Sequence, residues 1–175
     1  MRIDRAADLL RAAREDVGMS QSALASAAGM QQPTISAYES GRKQPRGETL
    51  ARLLRAARVR PSIPLALYAD DILRAAERHH LTNVRVFGSA VRGQDHEDSD
   101  IDLLVSLTPD ASLFDLGGFA HEVETITGFT TDLLTDDLDG DDAFRHVLDE
   151  AVPLCATSVP SASATACWTC SRSVP

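Results

Sequence analysis

Phe87-Gly88-Ser89-Ala90-Val91-Arg92-Gly93-Gln94-Asp95-His96-Glu97-Asp98-Ser99-Asp100-Ile101-Asp102-Leu103-Leu104-Val105 is the stretch on which the reading of this chain turns. Val84–Phe87 reads as a strand that runs directly into Gly88-Ser89, and Asp100-Ile101-Asp102 opens the next strand. The two-residue period of a strand places Asp100 and Asp102 on one face and Ile101 and Leu103 on the other. Two neighbouring carboxylates repel unless a cation lies between them or water reaches both. An oxygen-only pair of this kind suits Mg²⁺, which keeps positions open for water and a triphosphate. Gly88 removes a side chain where a triphosphate must approach the backbone. Ser89 brings a hydroxyl and an N–H at the start of a short helix, and Arg92 lies one turn on as a phosphate contact. Asp132, between Thr131 and Leu133, completes a carboxylate cluster if its strand pairs alongside.

Outward from this stretch, the second half alternates helices and strands, the pattern of an α/β domain. A helix is expected over 65–79, strands over 84–87, 101–107 and 129–134, and helices over 113–127 and 142–150. Beyond Leu154 the composition falls to Ser, Ala, Thr, Pro and three Cys, so residues 155–175 are expected to be a disordered tail. Three cysteines confined to that end do not make a disulfide framework. There is no apolar run of membrane-spanning length and no secretory opening, which leads to the expectation of a cytoplasmic protein with no membrane partner.

The first third is different in charge and in periodicity. Residues 1–62 carry 11 Lys/Arg against 6 Asp/Glu, and residues 63–175 carry 6 against 20, within an overall net charge of −9. Phosphate neutralisation needs local positive charge, so the basic third is the part suited to nucleic acid. Ala6, Leu9, Leu10, Ala13 and Val17 recur at helical spacing. Ser20 is placed to cap a second helix that Gly29 stops, and Pro33 suits the first turn of a third helix ending at Gly41. A fourth helix carries Leu50, Leu53, Leu54 and Ala57. Residues 61–64 read as a linker because of Pro61 and Pro64. Ile35 and Tyr38 face inward on the third helix, leaving Gln31, Gln32, Thr34, Ser36 and Ala37 outside. Glutamine amides can bond adenine edges in a major groove, and Thr or Ala methyls can touch thymine. Gln21 and Ser22 are placed for phosphate, as are Arg42 and Lys43 just past the third helix.

Ser20-Gln21-Ser22-Ala23-Leu24-Ala25 and Thr34-Ile35-Ser36-Ala37-Tyr38-Glu39-Ser40-Gly41-Arg42-Lys43-Gln44-Pro45 resemble the Cro/Xre-type repressor helix-turn-helix family over about residues 5–58. That resemblance implies a compact helical bundle, commonly dimeric through this domain, whose third helix reads operator DNA. Pro33 stands where the family often has a polar residue and removes one N–H. Residues 87–105 resemble the polymerase-β-like nucleotidyltransferase superfamily, and the small size matches its minimal nucleotidyltransferase branch over about residues 65–154. The fold class implied is an all-α helix-turn-helix bundle over 1–60, then a small α/β (α+β) nucleotidyltransferase domain over 65–154. The resemblance further implies transfer of a nucleotidyl group from ATP with two Mg²⁺ ions. Asp100 and Asp102 match the metal pair, Asp132 the third carboxylate, and Gly88 and Ser89 the phosphate-binding turn. Ala90 departs from members with a basic residue at that place.

Minimal nucleotidyltransferases resemble antitoxins that adenylylate a tyrosine of a HEPN-type ribonuclease toxin. The implied function is therefore a DNA-binding antitoxin that transfers AMP to such a partner and represses its own operon. The alternative is a transcriptional regulator whose transferase half binds nucleotide or partner without catalysis. About twenty residues separate Asp132 from the tail, too few for an added acceptor domain, so the acceptor is expected to arrive as a separate macromolecule that builds the other wall of the cleft.

Other signals carry less. The acidic run Asp136, Asp137, Asp139, Asp141, Asp142 lacks calcium-loop spacing and reads as a solvated turn. Cys167-Trp168-Thr169-Cys170 is a lone Cys-x-x-Cys with no second pair. His79 and His80 end a helix, where a cation complements the dipole. His121 and His146 read as helix residues without a ligand role, and His96 lies in the loop above the acidic pair.

Overall fold

The apolar spacing of the first third produces four helices packed around one another. In the computed structural model, which describes residues 2–137, 142–156 and 168–169, α1 (Ala6–Asp16) buries Ala6, Leu9, Leu10 and Ala13. The Ser20 hydroxyl caps α2 (Gln21–Ala27) by accepting the Ala23 N–H at 3.1 Å. Pro33 sits in the first turn of α3 (Gln32–Glu39), where a missing N–H costs nothing. Leu50, Leu53 and Leu54 of α4 (Gly47–Ala56) complete the bundle.

Residues 61–64 are not an extended linker. Pro61 precedes α5 (Ser62–Leu67) and Pro64 lies in its first turn, both positions that tolerate proline. Pro61, Ser62, Pro64 and Leu65 are buried. Tyr68 then separates α5 from α6 (Ala69–Arg78), so the single helix expected over 65–79 is two.

The second half is built on four strands: β1 (Leu81–Val86), β2 (Ile101–Leu107), β3 (Thr131–Thr135) and β4 (Val152–Pro153). Their order is β3-β2-β1-β4. β1 runs antiparallel to β2 and β4, while β2 and β3 are parallel. A parallel pair needs a crossover, which α8 (Leu113–Thr127) supplies. Short α7 (Ser89–Arg92) follows β1, and α9 (Asp142–Glu150) leads into β4. Phe119, Val123 and Ile126 of α8 are buried, with Ile72, Ala75 and Ala76 of α6 in the same core.

β4 was not legible in the sequence, and neither was what packs beside it. The Trp168 N–H donates to the Pro153 carbonyl at 3.0 Å and Trp168 is only 3 % exposed. The Thr169 hydroxyl donates to the Cys155 carbonyl at 3.0 Å. Residues 168–169 thus depart from the expected disorder of 155–175, because the indole supplies apolar surface that the neighbouring small residues lack. Cys155 is disulfide-bonded, a pairing not anticipated from the sequence. Cys167 and Cys170 lie outside the described residues, as do Asp139 and Asp141 of the acidic run. Asp136 of that run does not stand free in solvent. It accepts from Arg85 at 2.5 Å and from the Ser106 hydroxyl at 2.5 Å.

The two halves meet through a fixed junction. Arg60 bridges Asp16 of α1 at 2.5 Å and Asp95 at 3.1 Å. The Asp95 side chain is fully buried and also accepts the Ser62 N–H at 2.9 Å. Arg58 pairs with Glu97 at 2.6 Å. On the other side Arg2 pairs with Asp71 at 2.8 Å, its N–H bonds the Ile126 carbonyl at 3.2 Å, and Arg5 donates to the Leu67 carbonyl. No helix among the described residues is long and apolar enough to cross a membrane.

Candidate active site and DNA-binding face

Parallel pairing of β2 with β3 sets Asp102 directly opposite Asp132, with Ile101 opposite Thr131. The third carboxylate is therefore delivered by register alone, since a one-residue slip would turn Asp132 to the other face. β1 ends on the opposite flank of β2, where the Phe87 N–H bonds the Asp102 carbonyl at 3.2 Å. Gly88 follows with φ +71°, and a Cβ at that position would stand 2.1 Å from Asp102 Oδ2. Glycine is required there twice, for the backbone angle and for the space the carboxylate fills. At this end of the sheet the order across the site is Asp132, then Asp102 and Asp100, then the Gly88 turn.

The electrostatics match a cluster of like charges. Burial and then the neighbouring Asp132 and Asp100 carboxylates push the Asp102 carboxyl above its usual range, against smaller opposing effects from Arg92 and the Ser89 N–H. Asp100 and Asp132 are exposed, Asp102 half-buried. Among the described residues no three His, Cys, Asp or Glu side chains are gathered closely enough to hold a metal by themselves. Mg²⁺ binds through one or two carboxylates together with waters and substrate phosphates, and Asp102 with Asp132 opposite it offers such a pair. The oxygen-only donor set and the mutual repulsion at Asp102 fit such an ion.

Glu150, at the end of α9, was missed by sequence reasoning. Its carboxylate accepts from Arg92 at 2.6 Å, a donor expected to meet phosphate, and from the Gly88 N–H of the glycine turn at 3.4 Å. Nothing local marks Glu150, because its partners lie 58 and 62 residues away. His96 braces its own loop: its N–H donates to the Ser99 hydroxyl and its Nδ1 accepts from the Asp98 N–H. His79 pairs with Glu122 at 3.1 Å.

A cavity of about 380 Å³ adjoins Asp100. One wall is formed by the loops that lead into β2 and β3, with Glu97, Asp100 and Phe129; the other is α4, with Ala51, Leu54 and Arg55.

On the helical half, the predicted DNA-facing residues are partly tied to one another. Glu39 is 3 % exposed and takes two bonds from Arg14, at 2.7 and 3.0 Å. The Gln21 amide donates to Glu39 at 2.9 Å, and the Gln32 amide donates to Gln21 at 2.7 Å. Burial raises the Glu39 carboxyl, but the bonds from Arg14 and Gln21 outweigh it and hold the group below its ordinary value. Gln21 and Gln32 therefore begin as parts of a bracket joining α1, α2 and α3. Gln31, Arg42 and Lys43 are exposed, while Thr34, Ser36 and Ala37 are half-buried. Lys43 Nζ lies 5.9 Å from the centre of the Tyr38 ring.

Comparison with known proteins places both halves. Residues 10–63 match a helix-turn-helix family model and residues 70–152 match a nucleotidyltransferase domain model. A Methanocaldococcus jannaschii protein described as a proposed protein adenylyltransferase is 38 % identical over 58 residues, covering 33 % of this chain and 62 % of the relative's length. A solved structure described as a proposed minimal nucleotidyltransferase is 33 % identical, covering 53 % of this chain and 95 % of its own, with a TM-score of 0.49. A toxin–antitoxin structure with AMP-PNP is 20 % identical, covering 51 % and 74 %, with a TM-score of 0.44. With the mixed sheet, the paired aspartates and the glycine turn in place, the chain joins a helix-turn-helix domain to a nucleotidyltransferase domain.

Proposed function

We propose that this chain is a DNA-binding antitoxin that transfers AMP from ATP to a side-chain hydroxyl, a tyrosine in this reading, of a partner HEPN-type toxin and represses its own operon. The observation that carries the enzymatic half is the register of β2 against β3, which sets Asp132 beside Asp102 and next to the Gly88 turn. The matched domain models and the relative described as a proposed protein adenylyltransferase support the class of reaction. The toxin partner and the tyrosine rest on the family resemblance alone.

In this mechanism Asp100, Asp102 and Asp132 would hold two Mg²⁺ ions, which would supply charge stabilisation for the phosphates. Ser89 and Arg92 bond the β- and γ-phosphates, and Gly88 lets them approach the backbone. Asp132 accepts the hydrogen bond of the entering hydroxyl. That oxygen forms a bond to the α-phosphorus, the bond from the α-phosphorus to the bridging oxygen breaks, and pyrophosphate leaves toward Arg92. The hydroxyl proton passes to the Asp132 carboxylate and on to water. Positioning and charge stabilisation supply most of the rate, as in phosphoryl transfer generally. For the helical half, Gln31, Gln32, Thr34 and Ser36 read bases, and Gln21, Arg42 and Lys43 bond phosphates.

The test is transfer of label from α-labelled ATP, with Mg²⁺, to the protein encoded beside this one. Wild type labels it and Asp100→Asn does not. Stable co-purification without label from wild type would shift the function to a transcriptional regulator whose transferase half binds without catalysis. Glu150 on Arg92 and the Gly88 N–H is the observation that favours this second reading.

A further inference from the structure

We propose that the cavity between α4 and the starts of β2 and β3 seats the hydroxyl-bearing side chain of the acceptor protein, so that the DNA-binding half forms one wall of the acceptor site. The inference rests on the transferase reading above and adds a location and a set of residues to it.

The geometry of displacement separates the two sides of the aspartate cluster. The entering hydroxyl and the leaving pyrophosphate stand in line on opposite sides of the α-phosphorus. The Gly88 turn, on the β1 flank of Asp102, is the pyrophosphate side. The opposite flank is β3, and there the register continues from Asp132 back through Thr131 to Thr130, a residue of the cavity wall. Asp100 lines the same cavity, and no residue of the turn Gly88–Arg92 does. Asp102 and Asp132 do not line it, so the cavity adjoins the cluster at Asp100 and Thr130, away from the Gly88 turn and on the side assigned to the entering hydroxyl.

Its size and lining fit one side chain and its neighbours. A volume of about 380 Å³ lies at the lower end of small-ligand sites and accommodates an aromatic residue. Leu54 and Phe129 give apolar surface for a ring. Glu97, Asp98 and Asp100 stand on the other wall, and Arg55 lies among the α4 residues that face them. Glu97 is paired with Arg58, whereas Asp98 forms no ion pair among the described residues. The excess of carboxylate favours a hydroxyl-bearing residue with a basic neighbour in the acceptor. Ala51 and Arg55 are exposed on α4, so they can be changed without disturbing Leu50, Leu53 and Leu54 beneath.

The test uses the full chain, α-labelled ATP with Mg²⁺, and the neighbouring protein as acceptor. Ala51→Trp fills the cavity and Arg55→Glu adds a further carboxylate to it. For Ala51→Trp the KM for the acceptor protein rises about tenfold, as when an anchor site is blocked, while MgATP binding and the melting temperature stay at wild-type values. For Arg55→Glu the acceptor KM changes by about fivefold or more, again with MgATP affinity held. An unchanged acceptor KM in both variants overturns the proposal. Weakening of MgATP affinity in parallel also overturns it, because the cavity then belongs to the nucleoside. If wild type transfers no label, the transferase reading fails separately, and the dissociation constant for the neighbouring protein becomes the readout. A tenfold loss of that affinity in Ala51→Trp supports the cavity as its seat, and unchanged affinity overturns it.

Discussion

Gly88 and Glu150 are the residues whose surroundings say most about how the site works. A methyl at position 88 would meet Asp102 Oδ2 at 2.1 Å, in a backbone conformation that L side chains rarely adopt. Gly88→Ala therefore displaces the Asp102 carboxylate by about 1 Å, a shift that costs about 100-fold in rate. Single-turnover label transfer checks this, with circular dichroism showing that the sheet remains. Glu150 acts in the opposite sense. Its carboxylate holds Arg92 and the Gly88 N–H, the groups assigned to phosphate, so nucleotide has to displace it. Half-exposed pairs of this kind contribute up to about 1 kcal/mol. Glu150→Gln is expected to tighten MgATP binding by up to about fivefold, measured by calorimetric titration. Weaker binding would instead make Glu150 a partner of the nucleotide.

At the scale of elements, the helix-turn-helix depends on one buried carboxylate. Arg14 of α1, Gln21 of α2 and, through it, Gln32 of α3 converge on Glu39. Removing one member of a buried pair leaves the other charge uncompensated, so Glu39→Ala is expected to cost about 3 kcal/mol of stability. The pH dependence follows from the depressed carboxyl. The unfolded chain protonates Glu39 at a higher pH than the folded chain does, so the stabilisation is complete above the unfolded value. It is lost as pH falls through the folded value. Urea midpoints of wild type and Glu39→Ala should therefore lie far apart at neutral pH and draw together in acid. The same bracket holds Gln21 and Gln32, two of the proposed DNA contacts. Arg42 and Lys43 stand outside it, exposed, and are the phosphate contacts proposed above. Replacing both by Ala is expected to reduce the slope of log K against log salt by about 1.8 on duplex DNA, without changing base preference.

For the molecule as a whole, the junction around Arg60 makes two domains behave as one unit. Asp95 is fully buried, lies in the loop that leads to Asp100, and is held by Arg60 and the Ser62 N–H. Arg60 also reaches α1 through Asp16. Arg60→Ala strands the Asp95 carboxylate and is expected to cost about 3 kcal/mol. Calorimetry is expected to show one unfolding transition for wild type and two for Arg60→Ala, because the halves of the variant no longer stabilise each other. A single transition at the wild-type temperature would assign the coupling to the apolar contacts of α5 instead.

Much of this was legible because it is local. Asp100 and Asp102 flank the buried Ile101 at the start of β2, Gly88 immediately precedes α7, and Ser20 caps α2 through its own third neighbour. Backbone geometry dictates each of these within a few residues, so composition and spacing were enough to place them. The remainder depends on pairings between distant segments. Asp132 reaches Asp102 only because α8 returns the chain parallel to β2. Glu150 reaches Arg92 across 58 residues, and α4 reaches the cavity beside Asp100 only because α5 is a helix rather than a linker. Trp168 lay in a segment whose composition pointed to disorder, and its burial beside β4 is a contact no local pattern encodes. Sequence determined which groups are candidates for the chemistry, since those are set by side-chain type and local period. Tertiary structure alone decided which of them meet, because that depends on the free energy of packing whole elements together.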